Sequence, residues 1–148
     1  MAAATTVAQS VYVRISWVEP DDQGASITAY RITLAQHDGT TFVETTTYCN
    51  GASSTTVSNK YCLVPMSALR ASPFLLSKGD LVQVQVYAQN LKGWSTAAPT
   101  NTAGAVVETE PTTPAAPVRV ATTDDTSLDV SWTALTSEGD RGGPSATI

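Results

Sequence analysis

Leu81-Val-Gln-Val-Gln-Val-Tyr-Ala88 alternates without a break, so that Val82, Val84, Val86 and Ala88 share one side while Gln83, Gln85 and Tyr87 share the other. A two-residue period sends these sets to opposite faces of a pleated strand. A strand that is greasy on one face and wet on the other belongs in an antiparallel sheet. The same period recurs in both directions from this segment. Val11-Tyr-Val-Arg-Ile-Ser-Trp17 places Val11, Val13, Ile15 and Trp17 together, and Ile27 to Ala35 sets Tyr30, Ile32 and Leu34 against Ala29, Arg31 and Thr33. Thr40 to Tyr48 is rich in Thr, which suits a pleated surface, and Tyr61 to Val64 is a short strand closed by Pro65.

Ala3 to Gln9 remains for an opening strand, and a last strand is expected from Trp94 to about Val107, interrupted at Pro99. Turn chemistry separates these segments at Glu19-Pro-Asp-Asp-Gln-Gly24, His37-Asp-Gly39 and Asn90-Leu-Lys-Gly93. Asn50 to Lys60 reads as a Gly/Ser/Thr/Asn loop. Pro65 to Asp80 reads as a long crossing connection with one helical turn at Ser67 to Arg70, whose apolar residues plug the end of the core. No stretch of a dozen residues keeps a helical apolar period. The expected fold is therefore all-β, a two-sheet Greek-key sandwich over residues 1–107.

Glu108 to Pro117 contains three prolines and cannot continue a central strand, so residues 108–117 are expected to form a stiff Pro/Thr-rich linker. Beyond it, Ser127-Leu-Asp-Val-Ser-Trp132 repeats the Val-Arg-Ile-Ser-Trp signature that ends at Trp17. The two tryptophans are spaced by about one domain and its linker, so residues 118–148 are read as the first two strands of a second copy. Gly142-Gly-Pro-Ser145 would be the turn towards a third strand.

Several residues in order resemble a fibronectin type III repeat: Ser16-Trp17, the acidic Pro/Gly loop, Ile27-Thr28-x-Tyr30-x-Ile32, and Val82-x-Val84-x-Val86-x-Ala88-x-Asn90-x-x-Gly93-x-Ser95. The resemblance covers about Val11 to Pro111. Cys62-Leu-Val-Pro-Met-Ser67, Ala71-Ser-Pro-Phe74 and Gly79-Asp80 make it similar to the divergent repeats of protist extracellular and cell-surface proteins. The resemblance implies an immunoglobulin-like sandwich. One departure stands out: Val82 occupies the position where the family usually places a corner tyrosine.

Composition narrows the function. The chain has 148 residues and a formal net charge of −5, with no basic run, so the footprint of nucleic-acid binding is missing. No apolar stretch approaches the length of a membrane span. Met1-Ala-Ala-Ala-Thr-Thr6 lacks the charge and apolar core of a secretory leader, which leaves a cytosolic chain or a processed or excerpted piece of a longer one.

No catalytic constellation, metal site or cofactor is expected. His37 is the only histidine, and in a His-Asp-Gly turn it reads as a solvated loop residue rather than part of a triad. Glu19, Asp21 and Asp22 read as an acidic turn more readily than as a calcium site. Trp17, Tyr30 and Trp132 alternate with polar residues and read as core; Trp94, after a Gly turn, is the aromatic available for surface contact. Cys49 and Cys62 flank a loop and are expected to form a disulfide, with two buried free thiols as the alternative; a bridge would add about 3 kcal/mol and imply an oxidising compartment. Asn-x-Ser/Thr sequons are missing, while Thr109, Thr112 and Thr113 in the Pro-rich stretch suit O-glycosylation.

A piece with a two-strand pattern cannot bury its apolar residues alone. Val118, Val120, Leu128, Val130 and Trp132 are therefore the expected inter-unit contact, covered by copies of the chain or adjacent repeats. The reading is a non-catalytic extracellular or cell-surface repeat of a head-to-tail filament or tandem bead array. Two alternatives stay open. One is an adhesion or carbohydrate-binding module using Pro20 to Gly24, His37 to Gly39 and Leu91 to Trp94, with glycans as partners; the other is an accessory domain of a secreted enzyme.

Overall fold

Alternation decides where the strands lie, and hydrogen-bond supply decides where they stop. The computed structural model describes residues 1–121 and 126–143, which divide into two compact units at Val107 and Glu108. In the first unit, β1 (Thr5–Gln9), β2 (Tyr12–Ser16) and β5 (Tyr61–Pro65) form one antiparallel sheet in the order β1-β2-β5. β4 (Phe42–Glu44), β3 (Ala29–Ala35), β6 (Val84–Asn90) and β7 (Gly93–Trp94) form a second antiparallel sheet in that order. The architecture is an all-β sandwich.

The register explains the core. Ala8 pairs with Val13 and Val13 with Val64, while Thr6 pairs with Ile15 and Ile15 with Cys62, so one face of the first sheet collects these side chains. Tyr30, Ile32 and Leu34 pair with Ala88, Val86 and Val84 on the second sheet. Val13, Ile15, Ile32, Leu34, Val64, Val82, Val84 and Val86 are all fully buried in one cluster. Trp17 and Tyr30 meet edge to face inside it, with ring centroids 5.1 Å apart. Burial pushes the Tyr30 hydroxyl above its ordinary pKa, and the charge of Glu19 adds to the effect.

Three segments differ from the sequence expectation, each for a local reason. The loop expected at Asn50 to Lys60 contains helix α1 (Ser54–Asn59), started by the Ser53 side chain accepting from the Thr56 N–H and closed by Lys60 at φ 58°. Six residues are too few to show a helical apolar period, so only the Ser53 cap betrayed it. The Cys49–Cys62 disulfide closes the chain around this helix, with Cα atoms 5.3 Å apart. Gly51 precedes the helix because its backbone lies against Tyr30: a Cβ there would sit 1.9 Å from the Tyr30 carbonyl oxygen. The strand expected over Thr40 to Tyr48 shortens to β4, since Cys49 N–H turns back to bond the Thr45 carbonyl and draws the chain towards the disulfide.

The third difference lies after Trp94. Only Gly93–Trp94 is regular strand, yet the chain continues along β6, with Ser95 N–H bonding the Ala88 carbonyl and Ala98 N–H that of Val86. Pro99 has no N–H to continue the ladder. Asn101 takes over with its side chain: its Oδ1 accepts from Val84 N–H at 2.8 Å and its Nδ2 donates to the Val82 carbonyl at 3.0 Å. The amide thus imitates a peptide group, and Asn101 is buried as a result. The chain then crosses to the other sheet, where Ala105 N–H bonds both the carbonyl and the hydroxyl of Thr6.

The connection from Pro65 to Asp80 behaves as expected. Helix α2 (Met66–Arg70) leads it, and Met66, Leu69, Phe74 and Leu76 are buried in the end of the core. Val82, which follows this connection, is fully buried in the same core.

The second unit contains β8 (Val118–Arg119), β9 (Val130–Ser131) and the single turn α3 (Glu138–Arg141). β8 and β9 form a two-stranded antiparallel pair. The beginning of the Pro-rich stretch is tied down rather than free: Thr109 N–H bonds the Gly142 carbonyl and Thr112 N–H bonds that of Asp140. Gly142 is required at this crossing, because it lies at φ 102° and a Cβ would meet the Thr109 oxygen at 1.9 Å. Pro144 and Ser145 of the expected turn lie outside the described residues.

Replacing Asn101 with Ala strips the buried Val84 N–H of the Asn101 acceptor and leaves the Val82 carbonyl only the long 3.5 Å contact from the Thr6 hydroxyl, an expected loss of about 2 kcal/mol in urea unfolding. Exposed Thr102→Ala serves as the control, with a change within about 0.5 kcal/mol.

Candidate interaction surface

The strand pair of the second unit has the register of the first hairpin beside its Ser-Trp signature. Ser131 pairs with Val118 and Val130 with Arg119, as Ser16 pairs with Thr5 and Ile15 with Thr6. Leu128, Val130 and Trp132 therefore occupy the places of Val13, Ile15 and Trp17. In the first unit those three side chains are 0%, 0% and 6% exposed; in the second, their counterparts are 70%, 48% and 68% exposed. Trp132, expected as core from its alternation, stands in the open.

The five residues expected to form the contact do not share one face. Val120 N–H bonds the Asp129 carbonyl, continuing the register, so Val118 and Val120 lie on the side of Ser131 and Asp129. Leu128, Val130 and Trp132 take the other side. The hairpin carries one aromatic-aliphatic face and one mixed face.

The three loops considered for recognition separate into two places. Asp22 and Asn90 join two of them, since the Asn90 side chain donates to the Asp22 carbonyl at 3.0 Å. Together they wall an open cleft of about 320 Å³ lined by Asp21, Gln23, Ile27, Lys92, Trp94 and neighbouring backbone. His37 to Gly39 lies instead beyond Ala35, at the far end of β3 from Ala29, which pairs with Gln89 beside this cleft.

Most polar groups in these loops are committed to the fold. Asp21 and Asp22 each accept a backbone N–H two residues on, from Gln23 and Gly24, and Glu19 pairs with Lys60 at 2.8 Å. The acidic loop is a pair of Asx turns. Among the described residues no group of three or more His, Cys, Asp or Glu side chains is placed to hold a metal ion. His37 is largely exposed, with its Nδ1 at 2.7 Å from Asp80 Oδ2. Burial acts to raise the Asp80 carboxyl, but the Ser77 N–H and His37 outweigh it and hold the carboxyl below its ordinary range.

Alternation does not reveal which outward side chains meet, and two such contacts lie beyond its reach. Arg14 stacks on the Tyr61 ring at 4.1 Å, and Arg31 lies between Tyr87 and Trp94 at 5.5 and 4.4 Å. Thr109 and Thr112 already hydrogen-bond through their hydroxyls, to the carbonyls of Glu110 and Asp140, and Thr113 is exposed. Among the described residues no helix is long and apolar enough to cross a membrane. No family model matches the chain, and no curated protein matches its sequence.

Asp38 supplies a test of the loop geometry. The Thr41 hydroxyl and N–H, with the Thr40 N–H, hold its carboxyl down to about 2, against an ordinary value of 3.8. The bonds are therefore intact above the ordinary range and are lost as pH falls through about 2. Carboxyl NMR titration is expected to give that midpoint, and Thr41→Val to raise it towards the ordinary value.

Proposed function

We propose that the chain is a non-catalytic, extracellular structural repeat of fibronectin type III-like architecture that joins its neighbours head to tail, in a filament or a tandem bead array. The observation that carries this reading is the exposed Leu128, Val130 and Trp132 face of the second hairpin, set against the buried Val13, Ile15 and Trp17 of the first. Burying one side chain of this kind is worth about 1.5–3 kcal/mol, and a lone two-stranded hairpin is marginal in water. A covering surface from a neighbouring unit supplies both the burial and the stability that the hairpin lacks. Covered by a different surface of the next copy, the hairpin makes a heterologous contact, and such a contact propagates.

Other features support the setting. The disulfide suits an oxidising compartment outside the cell. Seven strands in two antiparallel sheets fit the resemblance carried by Ser16-Trp17 and the Val82 to Ser95 motif. A second reading, recognition of a ligand such as a glycan, draws on the cleft between the Asp21 and Lys92 loops.

Sedimentation and negative-stain electron microscopy of the whole chain test the first reading. Concentration-dependent, open-ended polymers are expected, and Leu128→Ser/Val130→Ser/Trp132→Ser is expected to leave monomers whose first unit unfolds at the wild-type temperature. Polymers unchanged by the triple substitution, or a wild-type chain that stays monomeric at high concentration, would refute it.

A further inference from the structure

The net charge of the chain resides in its second unit. Residues 1–107 hold six acidic and six basic side chains, whereas residues 108–148 hold seven acidic and only two basic ones. The sandwich is neutral and the C-terminal unit strongly acidic. Whatever receives that unit gains from offering an apolar surface with an uncommitted cation.

One face of the sandwich has this character. On the outward side of the first sheet the register lines up Thr5, Ser16 and Tyr61, then Val7, Arg14 and Leu63, then Gln9, Tyr12 and Pro65. Solvent-facing positions of an antiparallel sheet are normally polar. Here Val7, Tyr12 and Leu63 are 56%, 41% and 37% exposed. Arg14 stands in the middle of them, held against the Tyr61 ring at 4.1 Å. Among the described residues its side chain makes no ion pair or hydrogen bond, so its guanidinium donors are steadied by the ring and left open to an incoming acceptor.

We infer that this outer face of β1-β2-β5, centred on Arg14 and rimmed by Val7, Tyr12 and Leu63, is the surface that receives the C-terminal unit of a second copy. The inference rests on the head-to-tail reading above and names its missing half. Leu128, Val130 and Trp132 of one copy pack on Val7, Tyr12 and Leu63 of the next, sheet on sheet at a spacing of about 10 Å. Carboxylates of the acidic unit meet Arg14. Arg119 shares the apolar side of the hairpin through its pairing with Val130, and its repulsion from Arg14 favours a pose with the two guanidinium groups at opposite rims.

The opposite sandwich face is the natural rival. Its arginine, Arg31, lies between Tyr87 and the 42%-exposed Trp94, and Thr33, Gln85 and Gln89 interrupt the apolar surface around them, whereas Val7, Tyr12 and Leu63 lie on adjoining positions about Arg14.

The test uses the full-length chain, with assembly followed by sedimentation velocity at low salt and again at ~0.15 M salt, where exposed charges are screened. Arg14→Glu and Leu63→Thr are each expected to weaken assembly by about tenfold or more, Arg31→Glu by less than about twofold, and salt to weaken the wild type but not Arg14→Glu. Near-UV circular dichroism checks folding, and Val7→Thr replaces any variant that fails to fold. If the wild type polymerises and the Arg14 and Leu63 variants polymerise equally well, or Arg31→Glu is the disruptive change, the surface is wrong while the head-to-tail reading stands. A wild-type chain that never polymerises removes both.

Discussion

The strands β2, β3, β5 and β6 each bury an apolar side, and the stacking of the two sheets depends on covering it. In the first unit the cover is reciprocal: the side of β2 that carries Val13 and Ile15 closes on the side of β6 that carries Val84 and Val86, with Trp17 and Tyr30 locked edge to face between them. The long connection from Met66 to Leu76 seals the open end with Leu69 and Phe74. Nothing in this arrangement requires tight side-chain specificity beyond volume and alternation, which accounts for a core built so heavily of valine.

The second hairpin repeats the local chemistry under the opposite condition. Its register matches that of the first hairpin at the Ser-Trp signature, yet its apolar face is open. At matching positions the side chains are buried in the first hairpin and exposed in the second. That contrast also orders the functional readings, because a cleft lined by Asp21, Lys92 and Trp94 can serve recognition without explaining Leu128, Val130 and Trp132.

Much of the sandwich was legible from alternation alone. β2, β3, β5 and β6 follow from the period of two, and the crossing connection with its helical turn follows from the loss of that period after Pro65. Helix α1 was not legible, because a six-residue helix has too few turns to set a stripe and its Ser53 cap sits in a run of Ser and Thr that also suits a loop. The path after Trp94 was half legible: Pro99 announced the break, but no pattern announces that Asn101 will stand in for a peptide bond. At the candidate surface, sequence identified the apolar residues of the tail, while only the register separated Val118 and Val120 from Leu128, Val130 and Trp132. The stacking of Arg14 and Arg31 on aromatic rings depends on cross-strand neighbours, which a single chain read in order does not display.

The bond that Ala105 makes to Thr6 joins almost the first and almost the last residues of the sandwich. A force that draws the two ends of this unit apart loads that contact directly. Thr6 is thus gripped from two directions, by its pairing with Ile15 of β2 and by Ala105, which makes this clasp the seam that fastens the start of the unit to its end.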